Sequence, residues 1–225
     1  MLLAIPNVLP PVAAAKLREL VLAAQWVAAG GDGTINRQLP HDADVTRAGQ
    51  AEVTAALMDS AAFLSAALPH TVFPPVFARY GGGEDGGGED RGAQVERAIR
   101  CHKSTGARIR TDLSCTLFLT DPGEYDGGEL EIDGRFGKAS YKLPAGHMLL
   151  YPSASLHRVA PVTRGERVSC FFWLQSLVAD HSARELLYDL DQSVQTLSAA
   201  RGKNDEEVLR LTAIYHNLVR RWAEA

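Results

Sequence analysis

The chain has 225 residues, 46% of them apolar and 22% charged, a mixture that fits one globular domain with additions. Its net charge of −4, with Lys and Arg scattered along the chain, provides no basic footprint, so neither nucleic acid nor a membrane surface is expected as a partner. Cys101, Cys115 and Cys170 are too few and too far apart for a disulfide framework or a cysteine zinc site, and predict a reducing, cytoplasmic setting.

The first stretch, MLLAIPNVLPPVAAAKLREL, is broken by Pro6, Pro10 and Pro11 and has no basic start, which is not the pattern of a signal peptide. No apolar run reaches the length of a membrane span. Leu17, Leu20, Val21 and Ala24 recur at helical spacing after Pro11, predicting a helix that ends near Trp26. Residues 27 to 42 read as a Gly- and Asp-rich loop, and 43 to 67 as one long Ala-rich helix stopped by Pro69.

From Val76 the texture changes to short β-like runs separated by turn residues: VFARY, AQVERAIR, TDLSCTLFL, GELEI, ASYKL, HMLLY, LHRVA and VSCFFWLQ. They are too short and too evenly spaced for βαβ units, so an antiparallel sandwich or barrel of jelly-roll type is expected. After Gln175 the pattern returns to helix. In the last segment Val208, Leu211, Tyr215, Leu218 and Trp222 form one stripe, with acidic residues at its start and Arg220 and Arg221 near its end, as the helix dipole favours. That helix is expected to pack on the barrel or in a homodimer interface, with His216 as a surface or packing residue.

Two features stand apart. GGGEDGGGED, residues 81 to 90, is a perfect tandem copy of five residues. A phosphate-cradling loop ends in a basic residue and opens a helix, whereas this one carries four carboxylates and no Lys, so that reading is set aside. The second feature is YPSASLHRVAPVTRGERVSCFFW, in which His157 is followed ten residues later by Arg167 on the next expected strand. Neighbouring antiparallel strands can point an imidazole and a guanidinium into one cavity, where the Arg grips a carboxylate bidentately while the other end of the ligand chelates a metal.

The runs RTDLSCTLFLTDPGEYDGGELEI, YKLPAGHMLLYPSASLHRVAPVTRGERVSCFFWLQS and YHNLVRRW closely resemble the bacterial PKHD-type hydroxylases, prolyl-4-hydroxylase-like iron(II) and 2-oxoglutarate-dependent dioxygenases. The resemblance covers nearly the whole chain. It implies a mainly β double-stranded β-helix with flanking helices: a helical support region over 1–75, the dioxygenase domain over 76–177 and a helical extension over 178–225. It also implies Fe(II), 2-oxoglutarate as co-substrate and L-ascorbate as reductant, with a facial triad that leaves iron positions open. His157 matches the distal histidine of the triad, Arg167 the residue that holds the far carboxylate of 2-oxoglutarate, and Tyr80 a tyrosine that bonds the same carboxylate. The family's His-x-Asp is replaced here by Gln94-Val95-Glu96.

Gln94 offers a neutral amide oxygen instead of an imidazole nitrogen, and Glu96 keeps the carboxylate but adds a methylene. Removing one GGGED copy would leave eight residues between Tyr80 and Gln94 instead of thirteen, so the repeat reads as an insertion before the metal strand. His102 and His147 are candidate substitutes that read better as loop and rim histidines, Asp112 reads as framework, and Asp85 and Asp90 lie on the glycine loop. The resulting expectation is a hydroxylase acting on a small-molecule or peptide substrate that the sequence does not specify. The competing one is a degenerate member that binds 2-oxoglutarate or a partner without oxygenase activity. A cupin-like sugar-binding barrel would leave the Arg167 spacing unexplained.

Overall fold

Residues 1–28, 37–81, 92–101, 106, 108–134 and 137–224 are described in a computed structural model of the chain. The helices are α1 (Pro11–Leu22), α2 (Asp44–Asp59), α3 (Ala61–Ala67), α4 (His181–Arg201) and α5 (Glu206–Trp222). The strands are β1 (Leu3–Ile5), β2 (Val27–Ala28), β3 (Arg37–Gln38), β4 (Pro69–Val72), β5 (Val76–Gly81), β6 (Ile99–Cys101), β7 (Arg108–Arg110), β8 (Leu113–Phe118), β9 (Asp126–Gly127), β10 (Leu130–Gly134), β11 (Gly137–Tyr141), β12 (Met148–Pro152), β13 (Leu156–Val159), β14 (Val162–Arg164) and β15 (Glu166–Ser176).

The major sheet runs β1-β12-β8-β15-β5-β3-β2, with β4 added along β15, and every pairing is antiparallel. A smaller sheet, β11-β10-β13, faces it. This is the expected double-stranded β-helix, and its two faces follow from strand alternation. Val168, Cys170, Phe172 and Leu174 of β15, with Leu113, Cys115 and Leu117 of β8 and Phe77 of β5, turn to one side. There they form one core with Leu17 and Val21 of α1, Val53 and Leu57 of α2, and Phe63 of α3. Each such buried side chain contributes about 1.5–3 kcal/mol relative to exposure. The alternate residues, Arg167, Ser169, Phe171 and Trp173, turn toward the smaller sheet.

At one end of that second interior, Phe118, Leu149 and Tyr151 pack on Leu130 and Ile132 of β10. The other end stays open as a cavity.

Four expectations change, the first being that residues 27 to 42, read as loop, contribute the paired strands β2 and β3 to the major sheet. The first helix ends at Leu22, short of Trp26. The long helix expected over 43 to 67 is two helices, because Ser60 is extended and its hydroxyl accepts the Phe63 N–H at 3.3 Å, capping α3 anew. AQVERAIR is not one strand: Gln94 makes an isolated bridge and pairing resumes only at Ile99. Between them the Glu96 N–H reaches Ser153 and the carbonyls of Arg97 and Ala98 are taken by Thr111, so the segment crosses from one sheet to the β6-β7 hairpin. The second to tenth residues of GGGEDGGGED, Asp85 and Asp90 among them, and His102 lie outside the described residues.

Helix α4 is capped by Asp180 and α5 by Asp205. Leu187 of α4, with Val178 ahead of it, packs against Tyr215, Leu218 and Trp222 of α5, three of the five residues of the expected stripe. The Val178↔Ala223 bridge ties this pair back to the end of β15.

Helix α2 approaches the sheet through Gly49. A Cβ there would lie 2.7 Å from the Phe77 ring and 3.2 Å from Leu17. Gly49→Val is expected to lower stability by about 1–3 kcal/mol through overpacking, measured by urea denaturation; an unchanged midpoint would show that the helix can back away freely.

Candidate active site

The cavity between the sheets has a volume of about 600 Å³ and is lined from both. On the small sheet, His157 sits on β13 opposite Ile132 of β10. Its free backbone edge pairs with Gln94: Gln94 N–H donates to the His157 carbonyl at 2.8 Å, and His157 N–H to the Gln94 carbonyl at 2.9 Å. Gln94, Val95, Glu96 and His157 all line the cavity, and of these the side chains of Glu96 and His157 meet.

Glu96 reaches furthest. Its Oε1 lies 3.3 Å from His157 Nε2, and its Oε2 accepts from Arg100 at 2.6 Å. His157 is 5% exposed, its ring meets Tyr151 edge-on, and its Nδ1 faces the Ser155 carbonyl at 3.0 Å. Burial pushes the Glu96 carboxyl up, but the hydrogen bonds from His157 and Arg100 outweigh it and leave the group below its ordinary value. Burial likewise pushes His157 down, yet the bonds to Glu96 and to the Ser155 carbonyl leave it above. The imidazole directs Nε2 at the carboxylate.

Deeper in the major sheet, Arg167 is 1% exposed. Its Nη1 donates to Ser169 Oγ at 2.8 Å, but Nε and Nη2 have no hydrogen-bond partner among the described residues. Tyr80, its register partner on β5, and Phe118 present rings 5.1 and 5.2 Å from the guanidinium carbon. Tyr125 lies beside it, its phenol raised by burial and pulled back by the guanidinium charge. Leaving two donors of a buried cation unmet is costly, so the site is made for an anion that brings two acceptors. A carboxylate fits that description.

The three comparisons with known proteins agree. The model of the 2OG-Fe(II) oxygenase superfamily matches residues 76–175, and that of the PKHD-type hydroxylase C-terminal domain matches 181–224. PKHD-type hydroxylases of Rhizorhabdus wittichii and Burkholderia ambifaria are 48% and 50% identical, each over 100% of both chains. The chain belongs to the PKHD-type hydroxylase family. The crystal structure of a Pseudomonas putida prolyl-4-hydroxylase has the same fold at 20% identity and a TM-score of 0.50, over 78% of this chain and 92% of that one. Membership in the 2OG-Fe(II) oxygenases implies Fe(II) and 2-oxoglutarate.

The residues present fit both groups, with one weak donor. The orphaned N–H groups of Arg167 suit the far carboxylate of 2-oxoglutarate. His157 and Glu96 supply a nitrogen and a carboxylate oxygen that suit a divalent first-row metal, and Gln94 supplies only an amide oxygen. Among the described residues no three His, Cys, Asp or Glu side chains converge. His147 does not line the cavity; its carbonyl and N–H bond Phe118 and Pro144. Asp112 is framework, salt-bridged to Arg110 and accepting the Ser176 N–H at 2.9 Å. Sequence reasoning did not single out Arg100, Tyr151 or Trp173. Only the period of two that Trp173 shares with Arg167 could have placed one of them.

If Arg167 is as unmet as its contacts indicate, Arg167→Met should leave the stability of the ligand-free protein within about 1 kcal/mol of the parent, or raise it. Urea denaturation reads this, and a loss above about 3 kcal/mol would mean that the guanidinium is paired.

Proposed function

We propose that the chain is a working Fe(II)- and 2-oxoglutarate-dependent hydroxylase whose metal is held by His157, Glu96 and Gln94 and whose co-substrate is held by Arg167 and Tyr80. The observation that carries this reading is the buried Arg167 with two unmet donors in the cavity that also holds the Glu96–His157 pair. In this reading residues 76–177 carry the chemistry, 1–75 brace the sheet from behind, and 178–225 form a helical extension. L-Ascorbate would serve as reductant.

When bound, the iron supplies the activation of O₂ and the oxidation of substrate, coupled to loss of CO₂ from 2-oxoglutarate. The chain's own part is to bind and orient. Arg167 pairs with the far carboxylate through Nε and Nη2, and the ring of Tyr80 closes one side of the guanidinium. Desolvation strengthens that pairing, because Arg167 is buried beside Phe118, Ser169 and Tyr125. His157 keeps its Nδ1 proton on the Ser155 carbonyl, which leaves Nε2 as the nitrogen that would hold the metal. Glu96 provides the negative charge. Gln94, its backbone fixed by two bonds to His157, provides a neutral oxygen from the cavity wall.

The competing reading, a member that retains the carboxylate grip without oxygenase activity, draws on the missing second histidine. An anaerobic titration with Fe(II) and 2-oxoglutarate separates the two. A saturable metal-to-ligand charge-transfer band is expected for the parent, with Gln94→His tightening Fe(II) binding at least about tenfold because imidazole is the better donor. Arg167→Met should abolish the stabilisation by 2-oxoglutarate, about 2.7 kcal/mol at a hundredfold excess over its Kd. No band from the parent, with 2-oxoglutarate still stabilising it, would decide for the degenerate reading.

A further inference from the structure

Arg100 has a set of contacts that ordinary sheet packing does not call for. It lies on β6 opposite Ile109, and its guanidinium is spread over the Trp173 ring with its carbon 3.2 Å from the ring centroid. Trp173 is itself held by edge contacts with Phe73 at 5.9 Å and Phe171 at 5.4 Å. From that platform Arg100 Nη2 donates to Glu96 Oε2 at 2.6 Å, while Oε1 of the same carboxylate faces His157 Nε2 at 3.3 Å. The two oxygens thus have separate partners.

We infer that Arg100 is a positioning residue for the metal site: it holds Glu96 Oε2 so that Oε1 alone is presented beside His157 Nε2, and Trp173 holds Arg100. This rests on the reading that Glu96 and His157 bind the metal. A glutamate has one more rotatable bond than the aspartate of the family motif, so its carboxylate needs an external hold to return to one place. The spacing of four residues between Glu96 and Arg100 would be routine on a helix, but residues 96 to 98 are in neither helix nor strand. The contact therefore comes from the platform and not from local geometry.

Two effects of the guanidinium oppose each other. Its charge repels an incoming dication, and its hydrogen bond fixes the donor oxygen. Arg100 is 28% exposed in its side chain, so solvent screens the repulsion, whereas the geometric hold is lost entirely when the donor is removed. Loss of a hydrogen-bonding partner behind a metal ligand costs about 10–100-fold in affinity, so the hold is the larger effect.

The test is Mn(II) binding to the full chain in the presence of 2-oxoglutarate, followed by the electron paramagnetic resonance of free Mn(II). Arg100→Met is expected to weaken binding about 10–100-fold, and Arg100→Lys to recover part of it, since an ammonium can reach Oε2 but does not lie flat on Trp173. In a Glu96→Asp background, whose shorter carboxylate cannot meet both partners, adding Arg100→Met should change the affinity by less than about threefold. Affinity for 2-oxoglutarate alone should be the same in all variants. Unchanged or tighter Mn(II) binding by Arg100→Met would overturn the inference, as would an equal loss in the Glu96→Asp background, which would mark a general effect on the fold. No Mn(II) binding by the parent would remove the metal reading and this inference together, an outcome distinct from a parent that binds and a variant that binds equally well.

Discussion

Alternation along β15 is the constraint on which the rest of the molecule depends. Eleven residues, Glu166–Ser176, cross the middle of the major sheet between β8 and β5. One set of alternate side chains, Val168, Cys170, Phe172 and Leu174, is committed to the core shared with α1, α2 and α3. The other set, Arg167, Ser169, Phe171 and Trp173, is thereby committed to the cavity. A slip of one residue would exchange the sets and bury apolar groups where charge is needed. The support helices are thus part of the site, because they fix which face of β15 is the inner one.

Charge inside the cavity is distributed with the same economy. Arg167 is left with unmet donors, and Glu96 is met twice, by His157 and by Arg100. Exposed ion pairs elsewhere, such as Arg164–Asp126, sit in water and contribute little. The buried groups differ because each depends on its partner for solvation. An anion at Arg167 and a cation between Glu96 and His157 would complete two pairings that the protein begins.

The β region was legible because period-two patterning and turn residues recur from Val76 to Ser176, and the strand bounds there shift by only a few residues. The break at Ser60 was not, since a serine within an Ala-rich run carries no signal until its hydroxyl is seen to cap Phe63. The AQVERAIR segment misled for a related reason. Its residues have strand-like character, but its backbone bonds go to His157, Ser153 and Thr111 on separate elements, which local patterning does not encode. His157 and Arg167 could be picked out by their spacing, and Tyr80 only by the resemblance; Arg100 lies on Trp173, seventy-three residues further along the chain, and has no sequence signature.

The Gln94–His157 bridge consists of main-chain hydrogen bonds alone. Nothing in it depends on the identity of the side chain at position 94. A lineage can therefore exchange the side chain at position 94, imidazole for amide or the reverse, without disturbing these backbone bonds. The scaffold stores the address of the site separately from its occupant.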